Sequence, residues 1–251
     1  MRCREHGYWG GRTENPTAEH NELGIEHWAK HGVAGRGVLI DVAGWLAEHE
    51  PGYDPLSPRP ITVDELRATL DAQGASTEPG DIWCVRTGWP GAYRKLEQSR
   101  RESYAAEPTS AGLHAGEETA RFTWNAHPAA LCCDNPAVEV VPGDPAVGSL
   151  HRRLLPTLGM ALGEMFDFEA LAGACRADGR WTFFFAVATS SMPRSRRLGF
   201  TGNAVAIRQP LHVCRSQPRS SRRLFHHVAP ALERRAQPLV LDQLVHAPDR
   251  A

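Results

Sequence analysis

The sequence predicts an α/β fold, and three observations carry that reading. Apolar runs of strand length recur along the chain, at Val38–Val42, Ile82–Gly88, Ala129–Asp134 and Trp181–Val187. Near-continuous apolar character over such short runs is the pattern of strands buried on both faces of a sheet. Helix start and stop signals stand between the runs. Finally, Asp41, Arg86–Thr87 and Asp134 place polar side chains at the ends of three of these runs. In sheets with helical crossovers, strand ends are where sites are built.

Taken in order, the segment up to Gly24 is rich in Gly, Asn, Glu and His and reads as loop. Ile25 to His31 is a short amphipathic helix stopped by Gly32. Gly35-Arg36-Gly37 leads into the strand Val38–Val42, and Trp45 to Pro60, punctuated by Pro and Gly, reads as loop. Thr62 is the N-cap of a helix from Val63 to Gln73, with Glu65 completing a capping box and Gly74 as the stop. Pro79-Gly80-Asp81 is turn chemistry before the strand Ile82–Gly88, which a helix from about Ala92 to Ser99 follows. Arg100 to Gly112 is a charged loop, and Leu113 opens a helix that continues to Asn125. After the strand Ala129–Asp134, the turn Asp134-Asn135-Pro136-Ala137-Val138-Glu139 leads to Ser149, the expected cap of a helix carrying His151. Phe168 to Ala177 forms a further helix closed by Asp178-Gly179, and Trp181–Val187 is the strongest strand pattern, with Phe183-Phe184-Phe185 in the core. Gly202 to Arg208 reads as a last strand. The expected organisation is one α/β domain over residues 1–208 and a basic tail over 209–251, poorly ordered or partly helical.

Composition narrows the partners. Lys and Arg number 28 against 29 Asp and Glu, a formal net charge of -1, so there is no general electrostatic footprint for nucleic acid or an anionic membrane. A small-molecule substrate fits better. The chain from Leu211 reads as a solvated extension, with a basic arm for RNA or an acidic partner as the alternative. No apolar run is long enough to span a bilayer and the first residues lack a signal-peptide core, so the expected address is the cytoplasm. The six cysteines, Cys3, Cys84, Cys132, Cys133, Cys175 and Cys214, form no C-x-x-C pair and read as reduced core thiols.

Chemistry concentrates in Ser149 to Glu164, S-L-H-R-R-L-L-P-T-L-G-M-A-L-G-E. His151 and Glu164 can share a divalent metal if the His151 helix packs back on the strand ending near Glu164, because imidazole nitrogen and carboxylate oxygen are both good donors. Alone they are half a site. His27 and His31 are spaced to share a helix face, read as solvated rather than metal-binding. Asp134 is either a hydrogen-bond partner for a ligand imidazole or the start of an Asx turn before Pro136. Arg86 and Trp89 form either a substrate wall or a strand-end ion pair beside a core Trp. Ser149 lacks a nucleophile elbow around it and reads as a cap.

Five segments together strongly resemble the cyclase family, which includes metal-dependent bacterial kynurenine formamidases and isatin hydrolases. They are G-I-E-H-W-A-K-H-G-V-A-G-R-G-V-L-I-D-V (Gly24 to Val42), G-D-I-W-C-V-R-T-G-W (Gly80 to Trp89), G-L-H-A-G-E-E-T-A (Gly112 to Ala120), C-D-N-P-A-V-E (Cys133 to Glu139) and the Ser149 to Glu164 stretch. The resemblance implies a swivelling β/β/α cyclase-like domain, dimeric or larger, that hydrolyses an amide or a small cyclic amide or ester, with an N-formylkynurenine type of substrate as in arylformamidases of tryptophan catabolism. It further implies zinc or manganese held by an N-terminal H-x-G-T-H-x-D-x-x-x-H signature with a later His and Glu, which correspond here to His151 and Glu164. In such a site the ion acidifies water for attack on the carbonyl, and the last His of the signature carries the proton. The signature does not occur in this sequence, so the chain reads as N-terminally truncated against the family pattern, with an irregular C-terminal extension and an incomplete metal site. His6 and His20 do not supply the signature's spacing. A homodimeric hydrolase is expected; a catalytically impaired remnant or a binding protein on the same fold is the alternative.

Overall fold

The computed structural model describes residues 7–15, 17, 22, 24, 27 and 32–187. The expected helix at Ile25–His31, the strand Gly202–Arg208, the tail, His6, His20, His31, Cys3 and Cys214 lie, wholly or in large part, outside these residues.

A central sheet is built from β1 (Val33–Ile40), β3 (Ile82–Val85), β5 (Ala130–Cys133), β6 (Ala161–Gly163) and β7 (Thr182–Val187), in the order β6-β5-β3-β1-β7. All neighbours are parallel except β7, which runs antiparallel along β1 at the sheet edge. A small second sheet pairs β2 (Pro60–Ile61) with β4 (Gly112–Leu113) in parallel. Among the described residues, seven helices connect these strands: α1 (Val42–His49), α2 (Val63–Gln73), α3 (Trp89–Arg94), α4 (Gln98–Ala106), α5 (Glu117–Ala126), α6 (Leu150–Leu158) and α7 (Glu169–Asp178). Trp9–Gly11 adds a short 3-10 turn.

The apolar runs are explained by two separate cores. Val38, Ile40, Trp83, Val85, Leu131 and Cys133 pack on one side with Leu66, Leu70, Leu150 and Leu154. Leu39, Ile82, Cys84, Ala130 and Cys132 pack on the other with Phe166, Phe168, Leu171, Cys175 and Phe185. Because successive side chains point to opposite faces and both faces are covered, every position must be apolar. At Gly37, paired with Phe183, an added Cβ would come within 2.6 Å of the Phe183 ring, so the bare backbone is what lets that ring lie across the strand. The four cysteines among the described residues, Cys84, Cys132, Cys133 and Cys175, are buried and in no disulfide, and burial pushes the Cys132 thiol up to about 12. They are inert small hydrophobes.

Several boundaries differ from the sequence reading. Trp45 to His49, expected as loop, belongs to α1, whose N-cap Asp41 accepts a hydrogen bond from Gly44 N at 3.1 Å while Val42, Ala43 and Leu46 are buried. The expected helix Ala92–Ser99 is two helices, α3 and α4, and Arg100 to Ala106, expected as loop, is helical. α4 buries no residue, so it carries no apolar periodicity to read. Leu113 lies in β4, paired with Ile61, and the helix starts only at Glu117 behind its cap Gly116. The capping box of α2 is present as expected: Thr62 Oγ1 accepts from Glu65 N and Glu65 Oε2 accepts from Thr62 N at 2.8 Å, with Gly74 left-handed at the C-cap. Thr62→Ala is therefore expected to cost about 1 kcal/mol, seen as a lower urea midpoint at unchanged slope. An unshifted midpoint would show that the box contributes nothing.

Among the described residues, no helix is long and apolar enough to cross a membrane.

Candidate functional site

Strands β1, β3, β5 and β6 are mutually parallel, so their carboxyl ends share one edge of the sheet. Asp41, Arg86–Thr87, Asp134–Asn135 and Glu164 follow directly from those strand ends. This is the edge at which open α/β sheets place their sites.

At one end of that edge, α6 delivers His151. Its N-cap Ser149 accepts a hydrogen bond from Arg152 N, and Gly159 ends the helix in the left-handed conformation that favours glycine. The helix packs against the β5–β6 side of the first core through Leu150 and Leu154, which are fully buried. His151 Nε2 thereby comes to 2.9 Å from Glu164 Oε1, the juxtaposition the sequence reading required. On its other side, His151 Nδ1 lies 3.0 Å from Oε2 of Glu139. The same Oε2 accepts from the backbone N–H of His151 at 2.9 Å, and Oε1 of Glu139 accepts from Ser149 Oγ at 2.9 Å. The imidazole is thus held between two carboxylates and is largely shielded from solvent, its side chain 20% exposed.

The electrostatics follow from that sandwich. Burial acts to lower the imidazole's proton affinity, but the hydrogen bonds to Glu139 and Glu164 outweigh it and lift His151 from its ordinary 6.5 to about 9. Burial acts to raise Glu139, whereas the bonds from His151 and Ser149 prevail and hold its carboxyl below the usual range. In the absence of a cation other than the proton, the cluster is an imidazolium between two carboxylates, and it carries more acceptors than donors.

The site's fit to a divalent ion is partial. His151 Nε2 and Glu164 Oε1 stand 2.9 Å apart, at hydrogen-bond distance, and would become two donors to one divalent ion on a small outward shift of either side chain. Glu139 behind Nδ1 supplies the carboxylate that metal-bound histidines usually carry on their far nitrogen. The pair fits two positions of a coordination sphere. Among the described residues, no group of three or more His, Cys, Asp or Glu side chains is placed to hold a metal.

The remaining sequence candidates are used differently. Asp134 is completely buried and accepts from Thr87 N and Thr87 Oγ1, both at 2.7 Å, and from Gly88 N at 2.9 Å. It ties β5 to β3 rather than holding the imidazole; Glu139, five positions on in the same turn, does that. Glu139 was visible in the sequence only as the last letter of C-D-N-P-A-V-E, with nothing local to aim it at His151. Arg86 is an ion-pair centre: it donates to Asp41 Oδ1 at 2.7 Å and, through Nε and Nη2, to both oxygens of Glu169 at 2.9 and 3.0 Å. Arg86 also reaches the wall of a cleft of about 840 Å³ lined by Tyr53, Lys95, Tyr104 and Glu169. Trp89 is buried, donates its indole N–H to Tyr104 Oη at 2.8 Å and stacks on Tyr93, as expected of a core Trp. His27 lines a separate apolar pocket of about 450 Å³ with Val33, Phe166 and Phe185. Neither cavity is lined by His151 or Glu164.

Comparison with known proteins places these features in a family. The Cyclase family profile matches residues 9–140, more than half of the chain. A crystal structure described as that of a novel cyclase is 31% identical, with a TM-score of 0.57 over 69% of this chain and 54% of that one. Isatin hydrolase A from Labrenzia aggregata, bound to benzyl benzoate, is 15% identical with a TM-score of 0.44, over 69% of this chain and 59% of that one. Isatin hydrolase A from Ralstonia solanacearum is 14% identical with a TM-score of 0.34, over 49% of this chain and 45% of that one. No curated protein matches. The chain spans between half and three fifths of the first two solved structures. On the extent of the family match, and with a solved cyclase of the same fold at 31% identity, the chain belongs to the cyclase family.

Proposed function

We propose that the chain is a metal-dependent hydrolase of the cyclase family, acting on an amide or a small cyclic amide or ester of the N-formylkynurenine type. His151 and Glu164 hold part of a zinc or manganese ion. The observation that carries this reading is the His151 ring fixed between Glu139 and Glu164, with Nε2 and a carboxylate oxygen converging at 2.9 Å. When bound, such an ion supplies Lewis acidity, polarising a carbonyl and making water acidic enough to attack near neutral pH. The chain's own contribution is to hold Nδ1–H on Glu139, to present Nε2 and Glu164 together, and to shield the pair partly from solvent, so that their charges are less screened. The reading includes a homodimer in the cytoplasm with a small-molecule substrate.

The test is metal analysis of the purified full chain together with hydrolysis of N-formylkynurenine and of small cyclic amides. The expected result is bound zinc or manganese near one ion per chain and measurable turnover. Each of His151→Ala and Glu164→Ala is expected to weaken the metal at least about 10-fold and to abolish turnover. A folded wild-type chain with neither metal nor turnover would overturn the proposal and leave the binding-protein reading in its place. That second reading is favoured by one observation, the absence of a third donor beside His151 and Glu164 among the described residues.

A further inference from the structure

We infer that Glu139 is a positioning residue for this site: a single carboxylate that fixes the start of α6 and the tautomer of His151, so that Nε2 is the nitrogen offered to a metal. The inference rests on the reading of His151 and Glu164 as metal donors, and it concerns a residue that local sequence does not single out.

The assignment follows from donor and acceptor types. A backbone N–H can only donate, so Oε2 of Glu139, 2.9 Å from His151 N, is held as an acceptor. The same oxygen is 3.0 Å from Nδ1, and two acceptors at that distance repel, so Nδ1 must carry a hydrogen. Nε2 faces Glu164 Oε1 at 2.9 Å and by the same rule carries a hydrogen in the metal-free imidazolium; with Nδ1–H held by Glu139, that second hydrogen is the one a metal displaces, and the lone pair of the neutral ring is then on Nε2. Ser149 Oγ donates to the other oxygen of Glu139, which stops the carboxylate from rotating away.

Glu139 can do this because its backbone is fixed by a layer of the fold other than α6. Leu113 N donates to Val138 O at 2.9 Å and Val140 N donates to Leu113 O at 3.1 Å, pinning the segment along β4. Asn135 Nδ2 donates to Ala111 O at 2.9 Å and to Glu139 O at 3.2 Å. The approach is so close that a Cβ on Gly112 would lie 2.4 Å from the carbonyl of Glu139, so only glycine fits there. Val138 has φ 59, a left-handed conformation rare for a β-branched residue, and it is kept there by full burial. The carboxylate is therefore delivered to the imidazole by a rigid strut. Asp134, the other acid of the turn, is committed to Thr87 and Gly88 and cannot substitute.

Outer carboxylates of this kind typically contribute 10–100-fold to metal affinity. The experiment compares the wild-type full chain with Glu139→Gln and Glu139→Ala, by calorimetric titration with zinc and by 15N–1H spectra of the histidine ring. In the wild type a slowly exchanging Nδ1 proton is expected on His151. E139A should lose that proton and bind zinc about 10–100-fold more weakly. E139Q, whose amide oxygen can still face both His151 donors, should keep the proton and recover most of the affinity. Unchanged zinc affinity in E139A, even with a lowered melting temperature, would reduce Glu139 to a helix cap and overturn the inference, as would the lack of a protected Nδ1 proton in the wild type. A wild-type chain that binds no zinc sinks the metal reading instead. The ring-proton comparison then still decides whether Glu139 positions His151.

Discussion

Asp134→Ala is expected to lose about 4 kcal/mol of folding stability, because it strips three buried donors of their acceptor at once. Thr87 N, Thr87 Oγ1 and Gly88 N all donate to this one carboxylate, which has no solvent exposure. A buried donor left unpaired costs about 1–3 kcal/mol. Three such losses outweigh the relief of removing a buried charge. That relief is real: burial raises Asp134, and although the bonds from Thr87 and Gly88 act in the opposite direction, the carboxyl is left at about 6 against an ordinary 3.8. Asp134→Asn keeps the shape but turns one end of the side chain into a donor, so a smaller loss of about 2 kcal/mol is expected from one unpaired contact.

The pH dependence of this group has a definite sign. Below about pH 4 the carboxyl is protonated in both states. Between about 4 and 6 the folded protein retains a proton that the unfolded chain has released, so this contribution to stability falls as pH rises and is constant above about 6. Across that window the change amounts to about 3 kcal/mol, since each tenfold difference in proton affinity is worth about 1.4 kcal/mol. Other acids titrate in the same range, Glu65 and Glu139 being shifted the opposite way, so the quantity to measure is a difference. Urea midpoints of wild type and Asp134→Asn should converge as pH is raised from 4 to 7. Parallel curves would show that Asp134 does not titrate with a raised value.

Arg86→Met is expected to cost about 4 kcal/mol, the usual consequence of removing one partner from a buried ion pair. Arg86 is 13% exposed and sits between Asp41, 3% exposed, and Glu169. Burial opposes its charge, yet the bonds to Glu169 and Asp41 prevail and hold the guanidinium more firmly protonated than usual. Without it, Asp41 retains Arg176 and the Gly44 N–H, but Glu169 loses both of its guanidinium bonds and α7 loses its tether to the end of β3. Arg86→Lys should recover only part of the loss, because an ammonium cannot bridge Glu169 bidentately while also reaching Asp41. Denaturant titration decides it: a loss below about 1 kcal/mol would mean that solvent screens the network as it does a surface pair.

These contacts mark where sequence reasoning reaches and where it stops. Buried strands at β1, β3, β5 and β7 were legible because a strand covered on both faces must be apolar at successive positions. The α2 capping box and the Ser149 cap of α6 were legible because a cap and its partner lie within one helical turn. α1 was missed because Asp41–Val42 read as a strand end and Trp45 onward as loop until the Asp41 carboxylate is seen to accept from the Gly44 N–H. α4 was missed because it buries nothing. The pairing of His151 with Glu164 could be anticipated only as a condition on how α6 packs.

By itself, then, the sequence determined the α/β class, the strand cores, the local caps and the cyclase resemblance, all of which are written in residues a few positions apart. The tertiary structure alone decided which acid serves which partner. Asp134 and Glu139 share one turn and one chemistry, yet Asp134 meets Thr87 across 47 positions and Glu139 meets His151 across 12. The difference is physical: the parallel pairing of β3 with β5 brings Thr87 and Gly88 to Asp134, while the tight passage over Gly112 turns Glu139 toward α6.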